Sequence, residues 1–220
     1  MKLLSVNVSE PKDVPYRGGT LRTGIYKQPV AGRLMMRTLN LDGDGQADLK
    51  AHGGPDKAVY AYPFEHYATW AHELGRDDLT YGQFGENLTV EGLLEDAVSI
   101  GDRYRIGSAL VEVTQPRAPC FKLAHKMGLS DFAKTLTDAR RTGFYLRVLE
   151  EGEVGAGDSI ECVQAASDSM TIQQIFHLLY FDSHNVEAMA RAAALPALAT
   201  SWREAFEHMI RKDSVADDPA

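Results

Sequence analysis

The chain has 220 residues, 44% of them hydrophobic and 25% charged, with a formal net charge of −8. That length suits one large domain or one domain with an appendage, and the balance is that of an ordinary globular protein. The acidic surplus argues against broad contact with a nucleic-acid backbone, no apolar run approaches the roughly 20 residues that span a bilayer, and two cysteines without CxxC spacing, Cys120 and Cys162, indicate neither a disulfide framework nor a zinc knuckle.

Met1-Lys2-Leu3-Leu4 begins like a leader peptide, but Asn7, Ser9, Glu10 and Lys12 interrupt the apolar run at once. The expectation is a cytoplasmic protein with no nucleic-acid or membrane partner. Lys2 to Val8 reads as the first strand and Glu10 to Gly19 as a loop. Thr23 to Val30 is a short extended piece ended by Pro29, and Arg33 to Leu41 is a second strand. The polar run Asp42 to Asp48 is similar to a calcium loop at first glance. Its sixth place is Ala47, not glycine, and its twelfth is Gly53, not glutamate, so it reads as a solvated turn. Ala58 to Ala61 is a short strand, Pro63 to Leu74 a helix capped by Gly75, and Tyr81 to Val90 a glycine-punctuated loop entering a strand. Gly101 to Val113 is a hairpin about Gly107-Ser108. Phe121 to Met127 and Asp131 to Thr137 are short helices, Arg140 to Gly143 is a basic turn, and Phe144 to Leu149 and Asp158 to Val163 are the last strands, with Cys162 a core cysteine.

From Gln164 the pattern changes to helical spacing: Ile172, Ile175, Phe176 and Leu179, then Val186, Met189 and Ala193, then Trp202, Phe206 and Met209. Thr171 with Gln174, and Ser201 with Glu204, have capping-box form. The expected organisation is a strand-rich mixed β/α domain over residues 1–163, a linker at 164–170, three helices over 171–212 and a frayed tail at 213–220. Many short strands, no regular alternation with long helices and no GxGxxG or GxxxxGK[ST] loop favour a closed or nearly closed β-barrel decorated by helices.

The stretch with most chemical content is Thr114 to Leu123. Pro116 and Pro119 end a strand, Pro119 suits a first helical position, and Cys120 then falls in the first turn, with Arg117 and Lys122 nearby. Unpaired amides, the positive helix end and two cations all favour a thiolate, which serves as nucleophile, redox centre or soft-metal ligand. His125 lies five residues on, about 140° around a helix, so nothing local supports a Cys–His pair. Other residues read blandly when taken singly. His52-Gly53-Gly54 with Lys57 is a tight turn or an anion cradle; Lys27 is ambiguous; Asn87 supports its loop; Arg140, Arg141 and Arg147 are surface charges.

Together these stretches resemble the MOSC family, related to the C-terminal part of molybdenum cofactor sulfurases, in its stand-alone bacterial YiiM type. The residues that carry the resemblance are GIYKQPV with Lys27, LDGDGQAD, HGGPDKAVYAYP with His52 and Lys57, FGENLTVEG with Asn87, VTQPRAPCFKL with Arg117 and Cys120, and RTGFYLRVLEEG with Arg141, Tyr145 and Arg147. They follow in family order across residues 1–163, and the helical tail resembles the small C-terminal domain of that type. The resemblance implies a β-barrel-like domain that binds the molybdenum cofactor, with Cys120 as molybdenum ligand, and reduction of N-hydroxylated compounds such as N-hydroxylaminopurines. Toward such a cofactor Lys27, Lys57, Arg117 and Arg147 are by their chemistry suitable anion partners, and His52, Gly53, Asn87, Gln115 and Tyr145 are expected as further contacts. With no flavin or nicotinamide fingerprint and no iron–sulfur cysteines, electrons are expected from a separate reductase or ferredoxin-like donor. The competing readings are a non-catalytic carrier of cofactor or persulfide sulfur, and a purely structural protein. The tail is expected to wall the cleft or to make a homodimer contact.

Overall fold

The computed structural model describes residues 1–47 and 53–216. Its strands are β1 (Lys2–Val8), β2 (Lys12–Tyr16), β3 (Gly19–Thr23), β4 (Gln28–Pro29), β5 (Arg33–Met36), β6 (Val59–Pro63), β7 (Leu88–Glu91), β8 (Arg103–Ile106), β9 (Ala109–Pro116), β10 (Phe144–Glu150), β11 (Gly152–Gly155) and β12 (Ile160–Gln164). Its helices are α1 (Glu65–Leu74), α2 (Phe121–Met127), α3 (Phe132–Ala139), α4 (Ile172–Tyr180), α5 (Val186–Ala193) and α6 (Thr200–Ala216). Eight strands form one sheet in the order β12-β8-β9-β10-β6-β7-β1-β4. Its ladders are antiparallel except β6–β7, which is parallel because α1 carries the chain between them.

The sheet curls toward closure and stops short, so of the closed or nearly closed barrel expected from the sequence the structure has the open, barrel-like form. Lys2 bridges Ser159, and Ile160 N donates to Met1 O at 3.0 Å, but no ladder follows. Beyond Ile160 the residues of β12 all face solvent. Cys162 is among them, which corrects its expected place in the core. Two further expectations change. The stretch read as a loop after Glu10 holds the β2–β3 hairpin, turned by Arg17 and Gly18 with φ of 48° and 78°. Two consecutive left-handed residues make the turn that matches strand twist. The strand expected to reach Leu41 ends at Met36, where Arg37 folds back and pairs both oxygens of Asp42 at 2.9 and 3.0 Å.

One apolar cluster joins the sheet to the C-terminal helices. It runs from Leu3, Val111 and Phe144 to Ile172, Phe176, Met189 and Phe206 without a break. Burying the seven large side chains Ile172, Ile175, Phe176, Leu178, Met189, Trp202 and Phe206 of α4, α5 and α6 is worth on the order of 10 kcal/mol before entropy is set against it. The Thr171–Gln174 capping box forms as expected. The Ser201–Glu204 box does not, because α6 already begins at Thr200. The N–H of Thr200 instead meets Asp56 Oδ2 at 3.3 Å. A second, aromatic cluster of Tyr60, Tyr62, Trp70, Phe84, Phe132 and their neighbours lies under α1, α2 and α3. Among the described residues no helix is long and apolar enough to cross a membrane.

Candidate functional site

The strand register sets one row of polar residues across the sheet. Gln115 of β9 stands opposite Tyr145 of β10, which stands opposite Tyr60 of β6. Directly paired residues share a face, so the three side chains project together. Asn87 extends the row: its main-chain N–H donates to Tyr60 O at 2.8 Å, and its Oδ1 accepts from Tyr60 N at 3.1 Å.

Beyond Pro116 the chain leaves β9 and crosses this row. Arg117 N donates to Gly143 O at 3.2 Å, which pins the crossing to the start of β10. Cys120 is the residue before α2, with extended φ and ψ of −139° and 156°, and not a first-turn residue as the Pro119 pattern suggested. A seven-residue helix that starts after the cysteine contributes little dipole at the sulfur. The local positive charge is Arg117, whose Nη2 lies 3.6 Å from Cys120 Sγ. Arg117 is 5% exposed, lies over the Tyr60 ring at 5.1 Å, and its Nη1 has no hydrogen-bond partner. Burial opposes its charge, but Tyr60, Cys120 and Tyr145 favour it, and the guanidinium stays ionised. A buried guanidinium nitrogen with nothing to bond is costly, and an anion is the kind of partner that would offset that cost.

Two chambers meet at the cysteine. The first has about 590 Å³ of open space and is lined by Lys27, Asp44, Lys57, Asn87, Arg117 and Lys122 among others. Four cations face one carboxylate there, in a protein whose total charge is negative. The second has about 740 Å³ and lies between the sheet and the C-terminal helices, where Trp202 and Ala205 face Gln115 and Pro119. Lys57, Cys120 and Tyr145 line both. Burial raises the Tyr145 pKa, with Arg117 opposing, so its phenol keeps its proton.

The residues expected from the sequence divide accordingly. Lys27, Lys57, Asn87, Arg117, Cys120 and Tyr145 come together around the first chamber, and Gln115 lines the second only. Gly53 lines neither, and His52 lies outside the described residues. Arg147 is drawn away: its Nη2 and Nη1 meet Asp56 Oδ1 at 2.6 Å and Glu112 Oε2 at 3.0 Å. Arg141 forks onto Glu73 at 2.9 Å through both nitrogens.

Sequence reading missed Asp44, which is buried rather than solvated. Its Oδ1 accepts from Lys27 Nζ and from Ser9 N at 2.9 Å, and its Oδ2 accepts from Asn87 Nδ2 at 2.9 Å. Burial lowers the Lys27 pKa and Asp44 opposes that shift. Asp44→Ala therefore leaves an ammonium buried without its acid, and we expect a loss of about 3–5 kcal/mol in urea unfolding. Most of it should return in the Asp44→Ala, Lys27→Met double variant, since removing both charges removes the unpaired one. Tyr60 and Trp202 were also missed; both look like ordinary core residues in the sequence.

Three features suit the pterin cofactor that the sequence resemblance implies. The buried guanidinium and the cationic lining fit a phosphate, and Tyr145 offers a phenol to a heterocycle, whereas the Asn87 amide is already held by Tyr60, Asn7 and Asp44. Among the described residues no cluster of three His, Cys, Asp or Glu surrounds Cys120. A lone soft sulfur suits a metal that brings sulfur ligands of its own.

Comparison with known proteins gives a consistent result. Residues 48–161 match the family model described as MOSC domain, and residues 170–213 match the one described as YiiM-like, 3-alpha helix domain. The Bacillus subtilis protein YflK, itself uncharacterized, is 44% identical over 211 residues, covering 96% of this chain and 94% of that protein. Escherichia coli protein YiiM is 36% identical over 84% of this chain and 83% of its own length. A Gibberella moniliformis protein named reductase is 30% identical over 81% of this chain, which spans 32% of that larger protein. Among solved structures, YiiM from Geobacillus stearothermophilus superposes with a TM-score of 0.81 at 38% identity, covering 95% of this chain and 98% of that one.

Proposed function

The chain belongs to the MOSC family, in the form that carries a YiiM-like three-helix domain, and from that premise we propose that it is a molybdenum-cofactor-dependent oxidoreductase that reduces N-hydroxylated compounds to amines in the cytoplasm. The observation that carries the proposal is the pairing of Cys120 Sγ with a buried, unsatisfied Arg117 where the two chambers meet. The relative named reductase supports the redox class.

In this reading Cys120 would anchor the metal, Arg117, Lys57 and Lys122 would hold the cofactor's anionic end, Tyr145 would orient its heterocycle, and Asn87 supports the wall by tying Tyr60 to Asp44. When bound, the cofactor would supply the two-electron removal of oxygen from an N–O group, so that a hydroxylamine, two protons and two electrons yield an amine and water. Arg117 sets a positive charge 3.6 Å from Cys120 Sγ, which suits a thiolate ligand, and Tyr145 donates a hydrogen bond without losing its proton. The two electrons come from a separate protein donor, because the chain's two cysteines are too few for an iron–sulfur cluster.

The test is protein purified from a cofactor-competent host, supplied with a chemical reductant and an N-hydroxylaminopurine. We expect turnover in the parent protein and, for Cys120→Ala, a loss of bound molybdenum on the order of a hundredfold with a matching loss of turnover. Stoichiometric molybdenum without turnover on any hydroxylamine would instead mark a cofactor carrier.

A further inference from the structure

The tip of the β2–β3 hairpin rests on α2, the helix that follows Cys120. The Tyr16 ring meets Phe121 at 5.3 Å and His125 edge-on at 5.3 Å. Beside this contact runs an open groove of about 670 Å³ lined by Tyr16, Arg17, Phe121, His125 and Leu129 among others, with no acidic side chain on its walls. Phe121 is 48% exposed and Leu129 41%, so large apolar surface faces solvent one residue from the candidate metal ligand.

The charge around the groove runs against that of the chain. The hairpin contributes Lys12, Arg17 and Arg22, all exposed, and α2 adds Lys122. Asp13 is the one acid in these elements, and Arg22 holds it at 3.4 Å. Among the described residues Lys12, Arg17 and Lys122 make no ion pair. The net charge of −8 is therefore carried elsewhere. An apolar centre with a basic rim is the anatomy of a protein contact, and its charge selects an acidic partner. A second copy of this chain would set like charges against each other in a two-fold contact. A nucleic acid would leave Phe121 and Leu129 uncovered and meet a negative molecule.

We propose that this face docks the electron donor, a small acidic protein of the ferredoxin type, with Phe121 and Leu129 at the centre of the contact and Lys12 and Arg17 on its rim. The assignment of the partner as an electron carrier rests on the reductase reading given above. Each reduced ferredoxin gives up one electron, so two dockings accompany each hydroxylamine that, with two protons, becomes an amine and water.

The experiment uses the cofactor-loaded protein, an N-hydroxylaminopurine and two reductants in parallel: reduced methyl viologen, which needs no docking, and a reduced acidic plant-type ferredoxin. The Lys12→Glu, Arg17→Glu double variant should raise the KM for ferredoxin about tenfold at low salt and lose the parent's salt dependence, since rim charges act on encounter. Leu129→Ser should raise it severalfold. Viologen-driven turnover and molybdenum per chain should stay at the parent value in both variants. Calorimetry with oxidised ferredoxin should show the same losses of affinity without any turnover. A ferredoxin KM and affinity unchanged in both variants, an equal loss with viologen in both, or binding of a single-stranded oligonucleotide in place of ferredoxin overturns the proposal. Viologen-driven turnover together with ferredoxin binding that is absent or blind to the substitutions sinks the docking face and keeps the reductase reading. Ferredoxin binding that falls in both variants, with no turnover from either reductant, keeps the face and sinks the reading.

Discussion

Arg117→Met is expected to act in opposite directions on the empty and the loaded protein. In the empty protein the guanidinium is 5% exposed, one of its nitrogens bonds to nothing, and among the described residues no carboxylate pairs with it. Such a charge costs folding free energy, so a methionine of similar length should leave the unfolding midpoint unchanged or raise it, by up to about 1–4 kcal/mol. The same substitution should weaken cofactor retention by on the order of a hundredfold, because a charge-assisted contact to an anion in a dry site is worth about 2–5 kcal/mol. A purely structural arginine would do the reverse and lower stability. Urea unfolding of the cofactor-free protein and molybdenum content of the purified protein read the two effects separately. A large drop in midpoint for Arg117→Met would refute the assignment of Arg117 to an anion.

Gly143→Ala is expected to damage the fold and the candidate site together. Gly143 has φ of 65°, and a Cβ there would stand 2.5 Å from Ala61 O and 2.9 Å from the rings of Tyr60 and Tyr62. The left-handed conformation alone costs alanine roughly 1–2 kcal/mol. The clash is with backbone of the central strand β6, which cannot give way cheaply, so the total should reach about 3 kcal/mol or more. Gly143 O also receives Arg117 N, and Gly143 N donates to Glu95 Oε1 at 2.7 Å. The variant should therefore lose cofactor as well as stability. Thermal unfolding measures the first and metal content the second; a midpoint within a few degrees of the parent would contradict the packing argument.

How much of this was legible in the sequence depends on the range of the forces involved. The β8–β9 hairpin, the β9 strand ended by prolines, and the helix after Cys120 are local, and alternation, proline and glycine reveal them. Family order placed Lys27, Lys57, Asn87, Arg117, Cys120 and Tyr145, which the structure gathers around one chamber. Asp44 was hidden because a carboxylate in an Asp-Gly-Asp-Gly turn normally faces water, and nothing local signals that Lys27 and Asn87 will fold onto it. Arg147 was misassigned for a geometric reason. It shares a face of β10 with Tyr145, but two residues of strand carry it about 7 Å further on. There Glu112, directly opposite on β9, and Asp56 claim its guanidinium. Trp202 carries no chemical motif; its place on a chamber wall follows from the docking of α6 alone.

Asp56 has a consequence for the order in which the molecule is made. Its carboxylate holds Arg147 and receives the N–H of Thr200, 144 positions later, while its carbonyl takes the hydroxyl of Thr114 at 2.7 Å. The last of these contacts cannot form until nearly the whole chain has left the ribosome. Long-range closures of this kind are slow. The binding chamber is a late product of folding, and a nascent chain stalled before its last helix presents an incomplete one.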